Sequence, residues 1–248
     1  MHTELVAYEA DGLSMRGHLY MDGSGPAHPG ILVFPEAFGI SKHAKLQAER
    51  LAQLGYVSLA CDVHGEGKLM SDREAALAII KELRNDPARI RARANGGLQA
   101  LQRRPEVDPL RIGAIGYCFG GTMALELARG GSEILGVVGF HSGLATVAPQ
   151  DARQIKGKVL VCIGADDPAI PIDQRVAFEK EMREGGVDWQ MNIYGGVVHS
   201  FTNPEAGELG RPELARYDAK ATARSWAEMR SFFDEIFGAR PKAGRLSA

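Results

Sequence analysis

Cysteine is scarce in this chain: Cys61, Cys118 and Cys162 are the only three in 248 residues, and no two form a C-x-x-C pair. An odd count at this length excludes a disulfide framework and makes a thiol-ligated metal site a poor expectation. An excess of charge of one sign is also missing, since 29 Lys and Arg stand against 31 Asp and Glu for a formal net charge of -2. That balance gives no electrostatic footprint for nucleic acid or for an anionic membrane surface. No window reaches the roughly 18 apolar residues that span a bilayer. The opening Met1-His2-Thr3-Glu4 lacks the basic and then apolar pattern of a signal segment. A cytoplasmic protein is expected, with no nucleic-acid or membrane partner. The histidines at positions 2, 18, 28, 43, 64, 141 and 199 are scattered without H-E-x-x-H or paired ligand spacing, so no metal is expected. Gly113, Gly116 and Gly120 do not have G-x-G-x-x-G spacing, and Gly120-Gly121-Thr122 lacks the lysine of a P-loop. No cofactor is expected.

What remains is 45% hydrophobic, enough for one sizeable core, and the reading is a single domain over residues 1–238 with a disordered tail at 239–248. The alternating stretches Leu5-Val6-Ala7-Tyr8 and Leu13 to Tyr20, split by Asp11-Gly12, predict an antiparallel hairpin at a sheet edge. Continuous apolar runs at Gly30 to Phe34, Tyr56 to Cys61, Ile112 to Tyr117, Leu135 to Phe140 and Val159 to Ile163 predict buried strands. A further strand is expected near Trp189 to Tyr194. Helical spacing lies between them, at Ser41 to Leu54, from about Gly120, and at Asp173 to Glu184. A last helix is expected from about Pro212 to Phe237. Strand-helix-strand repeats mean right-handed crossovers and a mostly parallel α/β sheet with helices on both faces. The charged segment Glu66 to Leu101 is expected as a surface excursion, with Arg84, Arg89, Arg91 and Arg93 forming a solvated face.

The chemistry collects around Cys118. The run Ile112 to Tyr117 reads as a buried strand that passes through Gly116-Tyr117-Cys118-Phe119-Gly120-Gly121 into a helix-forming stretch. A Gly-x-Cys-x-Gly turn between strand and helix resembles the nucleophile elbow of α/β-hydrolases, with a thiol in place of the usual hydroxyl. Glycines flank such a turn because the central residue is strained and neighbouring backbone comes too close for Cβ atoms. The thiol would sit at a helix N-terminus, which favours a thiolate and the oxyanion formed on attack. Cys61 and Cys162 lie inside apolar runs and read as buried small hydrophobes.

In that chain order an acid and a histidine follow the nucleophile on later strand-end loops. Gly164-Ala165-Asp166-Asp167-Pro168 follows one strand and Gly195-Gly196-Val197-Val198-His199-Ser200-Phe201 the next. His199 would move the proton and an aspartate would hold the imidazole. Asp166 and Asp167 are both candidates, and the loop context favours Asp167. The oxyanion needs two donors: the backbone N–H of Phe119, and one from the loop Pro35-Glu36-Ala37-Phe38-Gly39, where Ala37 is the natural choice. Glu36 enters the same pocket. Phe38, Tyr117 and Phe201 are candidates for an apolar acyl site, His141 could shape it, and His64 could approach the cleft.

Taken in order, Pro35-Glu36-Ala37-Phe38-Gly39, Gly116 to Gly121, Gly164-x-x-Asp167-x-x-Ile170-Pro171 and His199-Ser200-Phe201 resemble the dienelactone hydrolase family from the first hairpin to Phe237. The resemblance selects Asp167 over Asp166 and implies that Glu36 controls the thiol, contacting the cysteine until substrate displaces it. It also implies a cysteine-dependent hydrolase of esters or lactones, with phosphotriesters as possible further substrates. Family members that open dienelactones hold the substrate carboxylate with arginines, one of them four residues after the histidine, where this chain has Asn203. Arg73 is the candidate for the other. A neutral ester is therefore the expected substrate, taken by a monomer or small homo-oligomer. A non-catalytic binding module and a thiol redox sensor are the competing readings.

Overall fold

The computed structural model describes residues 1–23, 25 and 27–238, so the expected disordered tail at 239–248 lies outside the described residues. Strands β1 (His2–Ala10) and β2 (Leu13–Met21) form the expected hairpin. Its two-residue turn has both Asp11 (φ 51°) and Gly12 (φ 69°) left-handed, the conformation whose twist matches the strands it joins. Six more strands follow: β3 (His28–Phe34), β4 (Val57–Ala60), β5 (Val107–Tyr117), β6 (Gly136–Phe140), β7 (Lys158–Gly164) and β8 (Trp189–Tyr194). They make one sheet in the order β1-β2-β4-β3-β5-β6-β7-β8. The pairs β1–β2 and β2–β4 are antiparallel and all others parallel, as in an α/β-hydrolase.

The helices are α1 (Lys42–Gln53), α2 (Arg73–Arg84), α3 (Pro87–Gln102), α4 (Phe119–Arg129), α5 (Ile172–Gly185) and α6 (Ala219–Phe237). Both sheet faces are covered, which is why the parallel strands read as unbroken apolar runs rather than alternating ones. Leu51, Met229 and Phe233 from α1 and α6 close one core with Ile115, Tyr117 and Phe140. Ile90, Leu98, Leu125 and Phe178 from α3, α4 and α5 close the other with Leu32, Ala114 and Val161. Cys61 and Cys162 are fully buried in these cores, and burial pushes both thiols up, Cys162 to about 12.

Two expectations are corrected. The segment Glu66 to Leu101 is more than a surface excursion with a solvated arginine face: Arg84 is exposed as that reading requires, but Arg93 is buried and Arg89 and Arg91 are paired. Helix α3 presses on the sheet so closely that a Cβ on Gly96 would lie 2.5 Å from Ala10 Cβ. Arg93 is 4% exposed, its Nε 2.8 Å from Asp11 Oδ2 and its Nη1 donating to the Val63 carbonyl at 2.6 Å. Arg89 shares Asp11 at 3.1 Å, and Arg91 bridges Glu126 and Asp151 at 2.8 and 2.7 Å. The partners lie far away in sequence, so a count of local charge misses them. The last helix starts at Ala219 rather than near Pro212, because Asp218 caps it by accepting from the Ala221 N–H at 2.8 Å. The residues before it turn back against the loop after β8, where the His199 N–H donates to the Leu214 carbonyl at 3.2 Å.

Candidate active site

The loops that leave the C-terminal ends of β3, β5, β7 and β8 converge on one side of the sheet, where open α/β sheets bind ligands. Cys118 follows β5 and caps α4 with φ 54° and ψ -116°, a conformation L-residues rarely hold. The turn is tight enough to require its glycines: a Cβ on Gly116 would meet the Gly120 carbonyl oxygen at 2.0 Å, and one on Gly121 would overlap the Ser142 hydroxyl. The Cys118 N–H donates to the Phe140 carbonyl at 3.0 Å, which fixes the elbow to β6. The half-buried side chain then points into a cleft of about 720 Å³.

Asp167 follows β7 and is 3% exposed, whereas Asp166 beside it is exposed. One Asp167 oxygen accepts the Ala169 N–H at 2.8 Å and the other lies 2.7 Å from His199 Nδ1. That bond places a proton on Nδ1 and leaves Nε2 free of Asp167, with the Cys118 sulfur as the imidazole's electrostatic neighbour in the cleft. Burial opposes a charge on His199, but the neighbouring Cys118 sulfur and the Asp167 carboxylate outweigh it and raise the imidazole to about 10. A pKa raised on folding means that the native state holds this proton more tightly. The stabilisation is complete below the ordinary value of 6.5 and is lost as pH climbs through about 10. Replacing Cys118 by alanine removes the larger of the two raising influences. The His199 pKa is expected to fall below its wild-type value, as read from the ring Cε1–H resonance across a pH titration. An unchanged value would show that Cys118 is not its partner.

Glu36, 8% exposed, leaves β3 towards the same cleft. Its two oxygens accept from the Ser200 hydroxyl at 3.2 Å and from the Asn203 amide at 2.8 Å, both on the segment that carries His199. His43 Nδ1 lies 3.8 Å from it. Position 203, where a substrate-binding arginine was considered, is thus occupied by an amide already engaged with Glu36. The Phe119 N–H is the first of α4 and has no partner in its own helix. Ala37 borders the cleft from the opposite loop.

Phe38 and Arg73 line the cleft together with Leu77, Ile170 and Leu214. Tyr117, Phe201 and His141, also considered for the pocket, lie behind it. Tyr117 precedes the elbow on a strand whose side chains alternate, so it points to the opposite face and stacks on Phe140 at 5.0 Å. Phe201 is fully buried against His141 and Tyr194, with ring centroids 5.3 and 5.7 Å away. His141 is fully buried as well, its Nε2 2.8 Å from the Thr202 hydroxyl, and burial holds it well below its ordinary pKa and neutral. Sequence patterning missed Leu77, Leu214, Arg84 and Arg211 in the lining. They come from α2 and from the segment before α6, and no motif links them to the elbow. Among the described residues no group of three or more His, Cys, Asp or Glu could hold a metal ion, and no helix is long and apolar enough to cross a membrane.

With this geometry in view, the likenesses to known proteins gain meaning. The model of the dienelactone hydrolase family matches residues 15–237. The solved structure named m3DLH is 45% identical, with a TM-score of 0.91 over 95% of this chain and 98% of that one. A dienelactone hydrolase-like promiscuous phosphotriesterase from metagenomic libraries is 42% identical, with a TM-score of 0.89 over the same shares of the two chains. Protein usf of Aquifex pyrophilus is 25% identical over 236 residues, which are 94% of this chain and 98% of that protein.

Proposed function

The chain belongs to the dienelactone hydrolase family and is a hydrolase, and from that premise we propose that it cleaves carboxylic esters through a thioester on Cys118. The observation that supports this reading is the convergence of Cys118, His199 and Asp167 on one cleft, with the imidazole bonded to Asp167 and its pKa raised by the Cys118 sulfur. Cys118 Sγ, as the thiolate paired with the His199 imidazolium, attacks the ester carbonyl carbon, and the carbonyl π electrons move to oxygen. The backbone N–H groups of Ala37 and Phe119 receive that oxyanion. Its collapse breaks the C–O bond, and His199 gives its proton to the leaving alkoxide. Water then loses a proton to His199 and attacks the thioester; the acid departs and the thiolate–imidazolium pair returns. Asp167 keeps the ring in the required tautomer throughout. Glu36 is held by Ser200 and Asn203 rather than by the cysteine that the resemblance implied as its contact, so a role in governing the thiol would require it to move from these partners towards Cys118.

Neutral substrates suit this cleft. Its lining carries Arg73, Arg84 and Arg211 against Glu36, Glu205 and Glu208, so its charges balance. Asn203 spends its amide on Glu36 and supplies no guanidinium to pair with Arg73. A missing charge-assisted clamp weakens anion binding by about 1.5–3 kcal/mol, or roughly 10- to 150-fold. A phosphotriester also fits, because it is neutral, has a good leaving group and gathers negative charge on oxygen when attacked. The likeness at 42% identity to a promiscuous phosphotriesterase supports that second activity.

The test is a panel of a neutral aryl ester, a dienelactone and a neutral aryl phosphotriester, assayed with a chelator present. The aryl ester is expected to exceed the dienelactone in kcat/KM by about 10-fold or more. A large preference for the dienelactone would refute the neutral-substrate reading. Failure to turn over any of the three would refute the hydrolytic assignment of this cleft.

A further inference from the structure

The oxyanion loop has a support that the reaction scheme above does not use. Three successive carbonyls in it are pinned from outside the cleft. The Glu36 oxygen accepts the Gly39 N–H at 3.1 Å, the Ala37 oxygen lies 2.8 Å from His64 Nε2, and the Phe38 oxygen accepts the Met70 N–H at 2.8 Å. In a trans peptide the N–H points opposite to the carbonyl. Holding the Glu36 oxygen towards Gly39 therefore turns the Ala37 N–H the other way. The next peptide plane sets the remaining freedom at Ala37, and its carbonyl is held by a side chain from a different loop.

That side chain is well fixed. His64 is half-buried just after β4, and its Nδ1 is buried without a hydrogen-bond partner, which assigns the ring proton to Nε2 as the donor to Ala37. Burial lowers the His64 pKa and keeps the ring neutral. Its backbone N–H and that of Gly65 donate to one Asp62 oxygen at 3.0 and 3.1 Å, while the other oxygen takes the N–H groups of Arg16 and Gly67 at 3.0 and 2.6 Å. Arg93 holds the Val63 carbonyl between them. The ring also flanks Gly39, whose φ is 99° and where an added Cβ would lie 3.4 Å from His64 Cδ2.

We propose that His64 is a positioning residue for the oxyanion hole: its Nε2–H holds the Ala37 carbonyl and so keeps the Ala37 N–H aimed at the developing oxyanion. The inference rests on the reading of Ala37 as an oxyanion donor. His64 touches no reacting atom, so its loss should lower kcat and spare both substrate binding and the reactivity of the thiol.

The experiment compares His64→Leu, His64→Asn and His64→Gln with wild type on a neutral aryl ester, and measures the rate of Cys118 alkylation by iodoacetamide, which needs no oxyanion hole. Glutamine can bring an N–H close to where Nε2 sits, while asparagine keeps the polarity but is too short. His64→Leu and His64→Asn are expected to lose roughly 10- to 100-fold in kcat, less than the loss of a whole donor. KM and the alkylation rate should stay within about twofold of wild type, and His64→Gln should recover to within about fivefold in kcat. The asparagine and glutamine pair keeps the test decisive should the leucine variant fold poorly. Equal kcat for those two variants, or kcat near wild type in both leucine and asparagine variants, would overturn the proposal. Cys118→Ala runs in the same panel: its retention of activity would instead overturn the underlying mechanism.

Discussion

Cys118→Ala is expected to lower kcat for ester hydrolysis by on the order of 10⁴-fold while leaving the protein folded. The size follows from the nucleophilic role proposed for the sulfur. A nucleophile that splits hydrolysis into two steps acts as a unit with its histidine and acid, so removing it forfeits nearly all that the three supply together. Some rate over the uncatalysed reaction should survive, since the N–H groups of Ala37 and Phe119 and the cleft itself remain. The fold should be kept, because alanine retains the Cβ and meets the same strain at φ 54° that cysteine already bears, and the stability removed is what Cys118 contributed by holding the His199 proton. Two measurements check the claim: steady-state rates on an aryl ester, and the mass of the intact protein quenched in acid during turnover. Wild type should carry the acyl group and the variant should not. Activity within about tenfold of wild type would mean that another group attacks the ester.

Much of this arrangement was legible in the sequence, and the reasons are physical. Parallel strands buried on both faces are apolar where they are covered, so the cores of β3, β6 and β7 and the Ile112–Tyr117 half of β5 announce themselves as apolar runs, while the partly exposed start of β5 at Val107 to Arg111 does not. The elbow is legible because its geometry tolerates only glycine at Gly116 and Gly120. Side-chain direction and long-range pairing were harder to read. Tyr117 and Cys118 are neighbours in sequence yet serve opposite faces of the sheet. Arg93 looks like one of several surface arginines until the hairpin turn brings Asp11 against it. Leu214 reads as part of the last helix because its spacing continues that helix's apolar face, but the Asp218 cap ends the helix first and leaves Leu214 to border the cleft. Glu36 could be placed near the thiol from its loop alone. Its engagement with Ser200 and Asn203 depends on contacts spanning more than 160 residues, which no local pattern encodes.

Gly120→Ala is expected to cost roughly 3 kcal/mol or more of stability and, in whatever fraction folds, about 100-fold or more in kcat. The cause is space rather than backbone conformation, since Gly120 lies in the first turn of α4. A Cβ there would sit 2.1 Å from the Phe34 carbonyl oxygen and 2.4 Å from that of Pro35. Both obstacles are backbone at the end of β3, so no rotamer change relieves the clash, and α4 must move away from the strand. The strand leads into the Glu36–Ala37 loop and the helix begins with the Phe119 N–H, so the same displacement separates the two N–H groups proposed as oxyanion donors. Stability and catalysis are thereby expected to fail together. Gly195→Ala is the matched control: it lies on the exposed loop after β8, its added Cβ would meet nothing within 4 Å, and its stability should stay within about 0.5 kcal/mol of wild type. Urea unfolding midpoints and aryl-ester kcat measured on both variants decide the matter. Equal stability of the two would mean that α4 and β3 are not held against each other at the elbow in the way these distances require.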